Sequence, residues 1–142
     1  MRGQAAVEWI VIISVAMLLL AVMLSFSHDS YGFFLNSIKV GKAKAALNDL
    51  KNAADFVFGQ GKDAKTRVYV TIPDSCNLTL RTLPGGEGQM QAVVYADGKE
   101  QYFDVYTDAN LTGSLPSKAG SYCMDVECTG ASVSITRSGG SC

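Results

Sequence analysis

Residues 1–26 read MRGQAAVEWIVIISVAMLLLAVMLSF, and their reading decides the fold. One base, Arg2, precedes an apolar run from Ala5 to Phe26 that contains a single acid, Glu8. The run slightly exceeds the ~20 apolar residues with which an α-helix crosses a hydrocarbon core of about 30 Å. A secretory signal peptide has a shorter apolar region, of about 7–15 residues, followed by a small-residue cleavage site. The length therefore predicts a retained membrane-spanning helix. Arg2 ahead of the run and a large domain behind it predict the N-terminus inside and the C-terminus outside. A carboxylate within such a helix is costly in lipid, which makes Glu8 a functional candidate by default. The alternative role for Glu8 is an interfacial acid at headgroup level beside Trp9, a residue type enriched there.

Beyond Phe26 the pattern turns amphipathic. Ser27 to Gly32 is rich in turn formers, and a bend or fraying is expected there. Helical spacing then resumes, with Phe34, Ile38, Leu47, Leu50, Ala54 and Val57 on one stripe and Lys39, Lys42, Lys44, Asp49, Lys51 and Asp55 on other faces. Ala43, Ala45 and Ala46 add helix propensity. Gly59-Gln60-Gly61 is expected to end the helix, giving a single element over 4–58 whose first part, 4–26, is apolar all round.

From residue 62 the composition shifts to strands. Val68, Val70 and Ile72 alternate on one face, as do Cys76, Leu78 and Leu80 after Pro73-Asp74. Gln89 to Thr107 reads as a hairpin closed at Asp97-Gly98. That turn sets Met90, Ala92 and Val94 opposite Val105, Phe103 and Gln101, on a face expected to lie on the helix. A second hairpin at Thr129-Gly130 would set Val126 opposite Val133 and Met124 opposite Ile135, with Asp125 and Glu127 facing Ser134 and Ser132. The expected fold is α+β: a long N-terminal helix, half membrane-spanning and half amphipathic, packed on a small antiparallel β-sheet head over 62–142.

Gly3-Gln4, Glu8 and Trp9 resemble the class III signal peptide of archaeal type IV pilin precursors. Ala6, two positions after the Gln, fits the same pattern. The resemblance implies a leader over 1–3, cut between Gly3 and Gln4 by a prepilin peptidase, and Glu8 as the fifth residue of the mature chain. The stretches 68–73 and 115–122 make the head similar to those of class III signal peptide proteins, and the whole fold type IV pilin-like. The implied function is that of a structural subunit of a surface filament for attachment, anchored in the cytoplasmic membrane before assembly and extracellular afterwards. The implied partners are further copies of the chain in a helical homopolymer, the prepilin peptidase, an assembly ATPase and a membrane platform protein. In that setting Glu8 pairs with the new α-amino group of Gln4 and fixes subunit register, because a shifted subunit leaves a buried charge unpaired. Cyclisation of Gln4 would remove the ammonium and leave Glu8 to other donors. A membrane-anchored extracellular binding module, or a minor pilin outside the bulk filament, is the alternative reading.

Cys76, Cys123, Cys128 and Cys142 all follow the apolar run, and an even number in an exported domain points to disulfides, for which four cysteines allow three connectivities. Strand parity turns Cys76 and Cys128 inward and puts Cys123 on the other face, which favours Cys76 with Cys128 and Cys123 with Cys142. Without a Cys-x-x-Cys pair, metal binding and redox chemistry are disfavoured. Asn77-Leu78-Thr79 and Asn110-Leu111-Thr112 are N-glycosylation sequons. Asn77 has outward parity, whereas Asn110 also reads as a plain loop residue. Twelve Lys and Arg against 13 Asp and Glu give a net charge of −1, and no basic patch speaks for nucleic acid. The only histidine, His28, lies beside the apolar run and reads as a solvated polar residue, so no base or ligand set in the head speaks for an enzyme or a cofactor. Tyr95, Tyr102, Tyr106 and Tyr122 read either as an aromatic adhesion surface or as half-buried strand positions.

Overall fold

A computed structural model describes the backbone of residues 2–96 and 98–139, and the side chains of all of these except 2–6, 28 and 29. The chain forms two compact units, residues 1–36 and 37–142. Helix α1 is assigned without interruption from Arg2 to Gln60, so the fraying expected at Ser27 to Gly32 is not seen. A glycine such as Gly32 costs about 1 kcal/mol in a helix relative to alanine but keeps its backbone donor, so the ladder continues. Gly61 ends α1 in the left-handed region at φ 93°, its N–H donating to the carbonyl of Val57 at 3.1 Å.

Among the described residues the second unit holds seven strands: β1 Lys65–Ile72, β2 Cys76–Thr82, β3 Gly88–Ala96, β4 Lys99–Thr107, β5 Asn110–Gly113, β6 Gly120–Cys128 and β7 Ser132–Arg137. They form two sheets, a four-stranded one in the order β1-β6-β7-β5 and a three-stranded one in the order β2-β3-β4. Every pairing is antiparallel except β5 with β7. The α+β architecture with a long N-terminal helix and an antiparallel-rich head is thus the observed one. The β2 and β5 edges meet where Thr82 Oγ1 donates to Asn110 Oδ1 at 2.8 Å.

One apolar core joins the inner faces of both sheets to α1. From the helix come Ala43, Ala46, Leu47, Leu50, Ala53, Ala54 and Val57; from the sheets Met90, Ala92, Val94, Met124, Val126, Val133 and Ile135, among others. Phe34 and Ile38, expected on the same stripe, remain exposed. The buried stripe begins instead at Ala43; Ala43 and Ala46, expected to serve propensity, also supply a low surface on which strands can lie close to the helix axis, whereas Ala45 is exposed. At its far end Thr107, a buried polar residue, donates to Asp55 on α1 and accepts the N–H of Ala109.

The first hairpin has the expected register, with Met90 opposite Val105, Ala92 opposite Phe103 and Val94 opposite Gln101. Its turn residue Asp97 lies outside the described residues. The second hairpin differs. Val126 faces Ile135, Met124 faces Arg137 and Glu127 faces Ser134, a slip of two residues from the expected pairs. Gly130, at φ 101°, takes the first central position of the turn, between Thr129 and Ser132, which are joined by Thr129 N–H to Ser132 O at 2.8 Å. A two-residue hairpin loop with glycine first centres the turn one position later than one with glycine second. The pairs move by two, so each side chain keeps its face.

The expected Cys76–Cys128 disulfide is not formed; both are free and buried. Parity placed both side chains inward correctly, but position along the strands keeps them apart. Cys128 N–H donates to Ala64 O beside the start of β1, whereas Cys76 follows the end of β1 after Pro73-Asp74-Ser75. The eight residues of β1 span about 23 Å at ~3.3 Å per residue, and a disulfide needs Cα atoms within roughly 7 Å. Cys123 is disulfide-bonded, and its expected partner Cys142 lies outside the described residues.

Candidate functional site

Between Val7 and Phe26 every large apolar side chain of α1 is exposed, from Val22 at 45% to Met23 at 76%. A helix that is apolar on all sides finds its complement in lipid or among other helices. The segment is long and apolar enough to cross a membrane. Its hydroxyls are already provided for: Ser14 Oγ donates to Ile10 O at 2.8 Å and Ser25 Oγ to Ala21 O at 3.1 Å. Such bonds let a serine sit in hydrocarbon, where an unmatched polar group is costly. Glu8 has no equivalent local solution, since a carboxylate accepts and the carbonyls one turn back do not donate. It is exposed on α1, one residue before Trp9 at 66%. Gly3 and Gln4 belong to α1, and the side chain of Gln4 lies outside the described residues, as do those of His28 and Asp29.

A second surface lies on the outer face of the three-stranded sheet. Register puts Asn77 beside Val93 and Val93 beside Tyr102; Thr79 beside Gln91 and Gln91 beside Asp104; Arg81 beside Gln89 and Gln89 beside Tyr106. The rows are tied sideways. Gln89 and Gln91 both donate through Nε2 to Asp104 Oδ1, at 3.1 and 2.9 Å, and Tyr102 donates to Glu100. That bond to Glu100 raises the Tyr102 phenol above its ordinary value. With Ser117 and Ala119 as one wall, this face forms an open groove of about 600 Å³ that Tyr95 and Tyr102 line. Tyr95, Tyr102 and Tyr106 are each more than half exposed on it. Tyr122 does not join them: it lies on β6, half-buried, its hydroxyl donating to Lys118 O at 3.0 Å and its ring 5.0 Å from the Arg137 guanidinium carbon.

The two sequons fall in different settings. Asn77 is exposed on β2, in the groove. Asn110 is half-buried at the start of β5, where it accepts the Thr82 bond that joins the sheets. It is therefore a strand residue and not a loop residue. The groove as a unit was hidden in the sequence; its signal was the second parity of 89–106, Gln89, Gln91, Val93 and Tyr95 against Glu100, Tyr102, Asp104 and Tyr106. Among the described residues no group of three His, Cys, Asp or Glu side chains is arranged to hold a metal ion. Comparison with protein-family models, with curated proteins and with solved structures finds no match.

Proposed function

We propose that this chain is a structural subunit of an archaeal type IV pilus-like surface filament used in attachment, made as a membrane-anchored precursor and cut between Gly3 and Gln4. The observation that carries the proposal is the division of labour along α1: between Ala43 and Val57 one apolar stripe is buried under the β head, whereas Val7 to Phe26 offer an apolar surface on every side. A helix covered in this way has its own partner at one end and needs partners at the other. In the bilayer those are lipid chains; in a filament they are the same segments of other subunits.

Exchange of lipid for helix contact gives little hydrophobic gain, so assembly depends on close packing and on polar pairing. Ser14, Ala16 and Ala21 permit close approach. Glu8, whose carboxylate finds no donor in the carbonyls one turn back, takes the α-amino group of a processed Gln4 and so sets register. The interface is heterologous and non-closing, and one contact repeats along the filament. A prepilin peptidase, an assembly ATPase and a membrane platform protein are the further partners.

The test is intact-mass and N-terminal peptide mass spectrometry on protein sheared from the cell surface. The expected mature chain begins at Gln4, with or without loss of ammonia, and comes from filaments visible by electron microscopy. A chain that still begins at Met1 and is found only as a monomer in membranes would overturn the filament reading in favour of an anchored binding module.

A further inference from the structure

We infer that Asn77 carries an N-linked oligosaccharide whose first sugars lie in the groove over Val93, Tyr95 and Tyr102, and that Asn110 is left unmodified. The inference rests on the outward placement of the head in the proposed function. Both asparagines have the Asn-x-Thr pattern, so the sequence does not choose between them. The fold does. Asn77 is exposed, opens into a groove of about 600 Å³, and makes no side-chain hydrogen bond among the described residues. Asn110 is half-buried where β2 and β5 meet, holds the Thr82 hydroxyl at 2.8 Å, and precedes the buried Leu111. A bulky group on its amide would force the two sheets apart.

The groove also has the chemistry of a sugar seat. The C–H faces of a sugar ring are weakly positive and lie on the negative face of an aromatic ring. Tyr102 stands one strand beyond Val93, which faces Asn77 directly, so a chain growing from Asn77 across the sheet reaches it first. Arg81, Gln91 and the Tyr102–Glu100 pair surround that path with donors and acceptors for sugar hydroxyls. In the covalent step, Asn77 Nδ2 forms a bond to the anomeric carbon of a lipid-linked glycosyl phosphate donor and loses one proton. The anomeric C–O bond of the donor breaks, and its electron pair leaves on the phosphate oxygen.

The full chain isolated from its native cells is digested with trypsin, which cuts after Arg67, Arg81, Lys99 and Lys118 and so places each sequon in a separate peptide. The 68–81 peptide is expected to carry sugar mass and the 100–118 peptide none. Thr79→Ser should retain the modification, and both Thr79→Ala and Asn77→Gln should lose it. Thr79 Oγ1 is buried and has no hydrogen-bond partner among the described residues, so Thr79→Ala breaks no bond found there. Hydroxyl-radical footprinting of the same chains reads the seat: Tyr95 and Tyr102 should be several-fold less reactive in wild type than in Asn77→Gln, with Tyr69 on β1 unchanged. A bare 68–81 peptide from chains that begin at Gln4 overturns the inference and leaves the filament reading intact. Sugar on 100–118, or equal tyrosine reactivity with and without the glycan, also overturns it. Modified Asn77 on chains that begin at Met1 would support the inference and overturn the filament.

Discussion

Arg67 and Asp125 face each other across β1 and β6, with Nε 2.7 Å from Oδ1, and Lys65 and Glu127 repeat the arrangement two residues along at 2.8 Å. Both pairs are solvent-exposed, where ion pairs add little, but the Arg67–Asp125 pair gives this strand pair a dependence on acid. The hydrogen bond from Arg67, helped by Ser138, holds the Asp125 carboxyl below its ordinary value of 3.8. A lowered folded value stabilises the fold above the ordinary carboxylate range, and that stabilisation is lost as pH falls through the folded value. Asp125→Asn should therefore lower the urea midpoint of the detergent-solubilised chain slightly near neutrality. Below about pH 4 the two midpoints should converge; a constant gap across the acid range would rule this pair out. At this scale the sequence was informative about side and silent about partner. Parity placed Asp125 and Glu127 outward and Cys76 and Cys128 inward, but which strand runs alongside β6 depends on a crossover of some 50 residues that no local pattern encodes.

Gly113 marks the one parallel pairing among the described residues of the head. It sits at φ 120°, and a β-carbon there would come within 2.0 Å of the Ile135 carbonyl oxygen. Gly113→Ala should cost at least about 1–3 kcal/mol from the backbone conformation alone, with the clash added. Amide hydrogen exchange in β5 and β7 should rise, whereas Gly85→Ala, which meets nothing within 4 Å, should leave it unchanged. Unaltered exchange in the Gly113 variant would contradict the close approach. The elements legible in the sequence were those with local signals: α1 from its apolar run and glycine stop, and the β3–β4 hairpin from its Asp-Gly turn. Three features were not. β5 has four residues, too few for a period. The β6–β7 register turned on which side of Gly130 the turn is centred. The division into two sheets depends on long-range pairing, and the same faces would serve a single sheet.

In the proposed filament, Glu8 is the residue whose loss should separate synthesis from assembly. Glu8→Ala chains should be made and cut at Gly3 normally and then accumulate in the membrane, with surface filaments lost; electron microscopy of sheared material and N-terminal mass spectrometry read the two outcomes. Normal filaments from this variant would remove the account of register. Leaving a buried charge without its partner typically costs about 3–5 kcal/mol, enough to stop growth at a contact that repeats with every subunit. The exposed apolar half of α1 was legible in the sequence from its unbroken run, while the groove on the head needed the fold. The strand order β1-β6-β7-β5 has one more consequence, in time. β7, the last of the described strands in chain order, lies between two earlier ones, and β1 is paired to β6 alone. Until residues 132–137 emerge, β5 has no neighbour in its sheet and one side of β6 is unpaired. The β3–β4 hairpin can close early, but the four-stranded sheet cannot be completed before residues 132–137 emerge, and the apolar stripe from Ala43 to Val57 stays in need of shelter until then.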